Sequence, residues 1–115
     1  MDPHQPGVRD LARSPSTEAA GKAAGVNDAK LDIAELHAPF THQELILREA
    51  LELADDVKIN PSGGALAANP IMVAGLARVG EASRQIQAGS ARRAVAHATS
   101  GPCLQQNLVC VLEGS

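Results

Sequence analysis

Two histidines and a doubled glycine carry this chain's clearest capacity for chemistry. His37 closes the stretch LDIAELH, His97 lies near the end of RRAVAHA, and Asn60-Pro61-Ser62-Gly63-Gly64 follows the short run Val57-Lys58-Ile59. Imidazoles titrate near neutral pH and can move protons, while the exposed amides of a glycine loop can hold an oxyanion. If the three segments end strands that run the same way, both rings and the loop face one crevice. Other candidates read more simply. Asn69 before Pro70 is a favourable helix N-cap. Cys103 reads as a small buried thiol, Cys110 as a core residue within a strand, and His42 as part of a solvated helix face. The two cysteines fit neither a disulfide framework nor zinc spacing, so no metal site is expected.

The elements that must position these residues can be read in order. Residues 1–13 are rich in Pro, Gly and charge and predict a loop or flexible arm, leaving 14–115 as one domain. Ser14-Pro15 starts a helix that stops at Gly25. Alternation over 31–37 predicts a strand. Thr41 and Glu44 form a capping-box pattern for a helix to about Leu53. Residues 57–60 predict a second strand. Pro70 to about Gln87 predicts the clearest helix, ended by Gly89, with Met72, Leu76, Val79 and Ile86 on one side and Arg78, Glu81 and Gln85 on another. Residues 92–98 and 106–113 predict two further strands, the last buried on both faces. The fold class is therefore α/β in the order α-β-α-β-α-β-β, with a mostly parallel sheet and a final antiparallel strand. The opening helix has no preceding strand, as though a first strand were lacking.

Composition narrows the functions. The chain has 115 residues and is 44% hydrophobic, with Phe40 its only aromatic residue, so the core must be aliphatic. A net charge of −3, with no basic cluster or aromatic platform, argues against a nucleic-acid partner. The start MDPHQPGVRD has neither a basic n-region nor an apolar h-region. No apolar run approaches the ~20 residues of a membrane span. These features predict a soluble cytoplasmic protein.

HAPF (37–40), NPSGG (60–64), ANPIMVAG (68–75) and HATSGPC (97–103) occur in the order and at roughly the spacing found in thiolases. The combination resembles the C-terminal half of that fold, closest to the sterol-carrier and lipid-transfer branch, and covers the chain from about residue 14 onward. In that family two similar α/β halves build one site for an acyl-CoA thioester, and the N-terminal half carries the nucleophilic cysteine. The resemblance implies catalytic or orienting roles for His37, at the histidine of a His-Asp-Cys-Phe segment, and for His97, at the Cys-x-Gly position. It puts Asn69 where a Gly-His-Pro histidine is expected; asparagine cannot titrate but can hydrogen-bond an oxyanion. It also implies that Asn60, Ser62, Gly63 and Gly64 help to shape the thioester pocket.

The same resemblance implies a coenzyme A thioester, acyl or sterol, as substrate or ligand, with no other cofactor. It predicts a thiolase-like domain that is inactive alone, completed by an N-terminal half or by a homo-oligomer. The alternatives are a non-catalytic acyl-CoA, lipid-binding or dimerisation module, or a truncated remnant.

Overall fold

The computed structural model of the chain describes residues 10–115. Nine of the thirteen residues expected to form an arm, 1–9, thus lie outside the described residues. Pro15 opens helix α1 (Pro15–Ala23), which ends before Gly25, as its sequence predicts. Strand β1 (Ile33–Glu35), helix α2 (Thr41–Ala50) and strand β2 (Lys58–Ile59) follow. A one-turn helix α3 (Gly64–Ala67) precedes the long helix α4 (Ala74–Gln87). Strands β3 (Arg93–Ser100) and β4 (Gln106–Glu113) complete the chain, joined through a 3₁₀ turn at Pro102–Leu104.

The four strands form one sheet in the order β2-β1-β3-β4. β1 lies parallel to both β2 and β3, and β3 pairs antiparallel with β4 over its whole length. The α/β class and the final antiparallel strand are as expected. Helix α1 lies against β4 and α2, while α4 covers β3 and β1. Alternation along β3 divides the core between two faces. Val95 joins Val26, Leu36, Leu47, Leu51 and Leu104 on one face. Ala94 and Ala96 meet Ile33, Ala82 and Ala91 on the other.

Several local expectations change. Thr41 does not cap α2 from outside but sits in its first turn, and Phe40 occupies the cap with no side-chain bond. Glu44 therefore does not close a capping box and accepts a hydrogen bond from Asn60 at 3.4 Å. Helix α4 begins at Ala74 instead of Pro70, because the Pro70 carbonyl accepts the Val73 amide at 2.8 Å and closes a turn first. Asn69 is thus not its N-cap. Strand β4 is not buried on both faces; it is the sheet edge, and Leu108 is more than half exposed.

Only part of the apolar side expected of α4 faces the sheet: Val79 and Ile86 pack against the Ile33, Ala94 and Ala96 cluster and flank a buried strip of other residues. Ala74, Arg78 and Ala82 are buried, whereas Met72, just before the helix, and Leu76 are 93% and 71% exposed. The inward side is built from small residues so that helix and sheet can approach closely. A Cβ on Gly75 would meet the Ala98 Cβ at 2.5 Å.

The N-terminal end of the sheet is fixed by Arg93. Its Nη1 donates to the carbonyls of Val26 (2.8 Å) and Ala29 (2.6 Å), its Nη2 to Gly25 (2.6 Å), and its Nε to Glu113 (2.7 Å). One side chain so ties the α1–β1 loop and the end of β4 to β3.

The close α4–β3 contact predicts that Gly75→Val overpacks the interface and costs about 1–3 kcal/mol. Gly80, with nothing within 4 Å of a Cβ, is the control in the same helix. Gly80→Ala should stabilise by about 0.5–1 kcal/mol. Thermal melts followed by circular dichroism should move in opposite directions for the two variants.

Candidate functional site

The carboxyl ends of β1 and β3 open into a cleft of about 390 Å³. It is lined by His37, Phe40, Gln43, Asn69, Thr99 and Cys103, among others, which the fold gathers from three separate segments. This is where an open parallel sheet presents a ligand site.

His37 follows β1 by two residues and is half-buried. The Thr99 amide donates to its Nδ1 across a long 3.4 Å bond, so the neutral ring carries its proton on Nε2. Burial lowers the His37 pKa and the nearby Arg78 charge adds to this, while a hydrogen bond with Asn69 opposes it. The ring is therefore held toward its neutral form. Asn69 is exposed on the cleft wall beside it.

His97 does not end its strand. It sits within β3, fully buried, two residues before Thr99 on the same sheet face. Its Nε2 lies 2.8 Å from Asn107 Oδ1 on β4. Burial pushes its pKa down to about 4, with the Asn107 bond opposing and a charge on His37 adding to the fall. The two imidazoles are thus electrostatic neighbours, though only His37 opens into the cleft.

The glycine loop serves a different neighbour. Glu35, buried at the end of β1, accepts the Ser62 amide on Oε1 at 3.1 Å and the Ser62 hydroxyl on Oε2 at 2.7 Å. Arg78 Nη1 donates to the same Oε2 and to Ser62 Oγ, both at 3.2 Å. The Gly64 amide donates to Ser62 Oγ at 3.1 Å. Asn60, at φ 47°, accepts the Leu36 amide on Oδ1 at 2.6 Å. Gly63 and Gly64 take φ values of 91° and 60°, which side chains rarely adopt. Asn60, Ser62, Gly63 and Gly64 are therefore tied to the end of β1 through Glu35 and Leu36, and none of them is among the residues lining the cleft.

Cys103 departs from expectation. Its thiol is exposed on the cleft wall, in a left-handed conformation at φ 56°, and is not a buried residue. Cys110 is half-buried at the edge strand and not fully in the core. His42 is exposed, as expected, and stacks on Phe40 with ring centroids 5.9 Å apart. Among the described residues no cluster of His, Cys, Asp and Glu could hold a metal ion. None of their helices is long and apolar enough to cross a membrane.

Three site residues escaped the sequence reading: Glu35, Arg78 and Asn107. Glu35 had a visible signal, since it shares the parity of Leu31 and Ile33 on a strand covered on both faces. Arg78 looked like part of a solvated face, and Asn107 carried no signal.

The comparisons with known proteins agree with this architecture. The family model described as thiolase, C-terminal domain, matches residues 3–111. The chain belongs to the thiolase C-terminal domain family. Two beta-ketoadipyl-CoA thiolase sequences of Acinetobacter baylyi are each 28% identical to it over 111 residues, covering 95% of this chain. The thiolase domain spans about a quarter of those relatives, 27% of their length.

Burial of His97 makes the stability of the thiolase domain depend on acid. Above pH 6.5 the ring is neutral in both folded and unfolded chains. Between pH 6.5 and about 4 only the unfolded chain takes up the proton, so stability falls with falling pH. The loss from this residue totals about 3 kcal/mol and flattens below pH 4. Urea denaturation at pH 7, 5.5 and 4 should show that slope, and His97→Gln should remove this residue's share of it.

Proposed function

We propose that this thiolase domain supplies one wall of a site for an acyl-CoA thioester and is inactive alone. The observation that carries the reading is the cleft where His37, Asn69 and Thr99 meet at the carboxyl ends of β1 and β3. In it, His37 donates through Nε2–H to a thioester carbonyl or orients water. Asn69 hydrogen-bonds beside it but moves no proton. His97 acts from beneath, and Asn60, Ser62, Gly63 and Gly64 shape the site indirectly by bracing the end of β1. The histidines at 37 and 97 favour the sterol-carrier and lipid-transfer branch, in which a long acyl chain or a sterol-CoA is the substrate.

The partner we propose is a second α/β half of the thiolase fold, bearing the nucleophilic cysteine. Two features support it. The chain corresponds to only 27% of the relatives' length. Large apolar side chains also stand uncovered at the cleft rim and beyond: Phe40 is 60% exposed, Ile71 83%, and Met72 and Leu76 more than two thirds. Apolar surface of this kind marks an interface. The non-catalytic reading draws its support from Asn69, which replaces a titratable group, and differs in requiring no second half.

Titration of the ¹⁵N-labelled domain with acetyl-CoA and a long-chain acyl-CoA tests the binding. Amide shifts should concentrate at Asn69, Thr99 and Gly101, and His37→Ala should weaken binding roughly tenfold through one lost hydrogen bond. Shifts confined to other surfaces would remove the cleft from the reading. The isolated domain should release no free thiol from either thioester, whereas co-expression with an N-terminal thiolase half should restore release. Turnover by the domain alone would contradict its incompleteness.

A further inference from the structure

Beneath the cleft, the ring of His97 is held by a short relay that crosses the sheet edge to α1. Asn107 Nδ2 donates to the Leu104 carbonyl at 2.8 Å and to Ser16 Oγ at 2.7 Å. A carbonyl only accepts, so the Leu104 contact fixes which end of the Asn107 amide is NH₂. The other end, Oδ1, must then be the atom 2.8 Å from His97 Nε2. An amide oxygen accepts, so Nε2 carries the ring proton. Nδ1 is left with a free lone pair, fully buried and without a hydrogen-bond partner among the described residues. Buried polar atoms are nearly always paired, so such a lone pair in a native fold needs a purpose.

We propose that Asn107, itself oriented by Leu104 and Ser16, is a positioning residue that locks His97 in the Nε2–H tautomer and so leaves Nδ1 as the one accepting nitrogen of the buried ring. The inference deepens the acyl-CoA reading by naming the accepting atom and the residues behind it. Its geometry does not depend on that reading. Thr99, on the same face of β3, binds His37 through its amide, so the lone pair belongs to the layer directly under the cleft. Low basicity suits the role, because a ring that stays neutral keeps its lone pair available. Ser16 makes α1 part of the site's support although it contributes nothing to the cleft wall.

Long-range ¹H–¹⁵N correlation spectra of the imidazoles in the intact chain, recorded without ligand at pH 7, read the tautomer directly. Wild type should show one His97 form with Nδ1 unprotonated; a protonated Nδ1 would overturn the proposal. Asn107→Ala should release the ring into a mixture of tautomers, and an unchanged single form would remove Asn107 from the role. If Asn107→Ala does not fold, Asn107→Asp decides. Its carboxylate should keep Nε2 protonated and raise the His97 pKa from about 4 by about 1 to 3; an unmoved pKa would show that residue 107 does not face the ring. Failure of acyl-CoA binding would leave these spectra unchanged, so the two readings fail separately.

Discussion

The arrangement depends most on one buried ion pair. Glu35 and Arg78 meet at 3.2 Å with almost no exposure, joining the end of the central strand β1 to the covering helix α4. Taking two charges out of water is costly, and Ser62 offsets part of that cost by donating to Glu35 and accepting from Arg78, although Arg78 Nε stays buried without a partner among the described residues. Ser62 is thereby fixed, and with it the left-handed turn through Gly63 and Gly64. Three elements distant in sequence thus share one polar node, and the positive end of that node also biases His37 toward neutrality. Fold and site meet at the same atoms.

The two faces of the sheet divide the work. On the α4 face, small residues allow a helix to lie close to β3. On the α1/α2 face, larger aliphatic residues fill the space, and the His97–Asn107–Ser16 relay runs through them. A polar chain inside an apolar layer is tolerable only when its members satisfy one another. Here they do so at every atom but one, and that atom lies under the cleft.

Much of the element order was legible because punctuation residues act locally. Pro15 starts a helix and Gly25 and Gly89 follow helix ends for backbone reasons that no tertiary contact reverses. The orientation of α4 was only half legible. Val79 and Ile86 do pack against the sheet, but the buried strip between is Ala74, Gly75, Arg78 and Ala82, whose weak apolar signal is outvoted by the exposed Met72 and Leu76. Periodicity locates the largest hydrophobic residues, and in this domain several of them remain uncovered. Asn69 was misjudged as a cap for a related reason: Pro70 is an acceptable first helical residue, but a turn across 70–73 forms instead. His37 and Asn69 were picked out through motif order. Asn107 was not, because its importance lies in a cross-strand register that places it two residues along β4 from the partner of His97.

The cleft wall also has a consequence for how a nucleotide thioester would be gripped. Among the described residues no lysine, arginine, aspartate or glutamate lines it, its asparagine cannot ionise, and its histidine is held toward neutrality. Such a surface suits the uncharged acyl and thioester end of a ligand and offers no countercharge to phosphates. Recognition within it would be nearly indifferent to ionic strength, and any salt-sensitive grip on the polyanionic end must come from cations elsewhere.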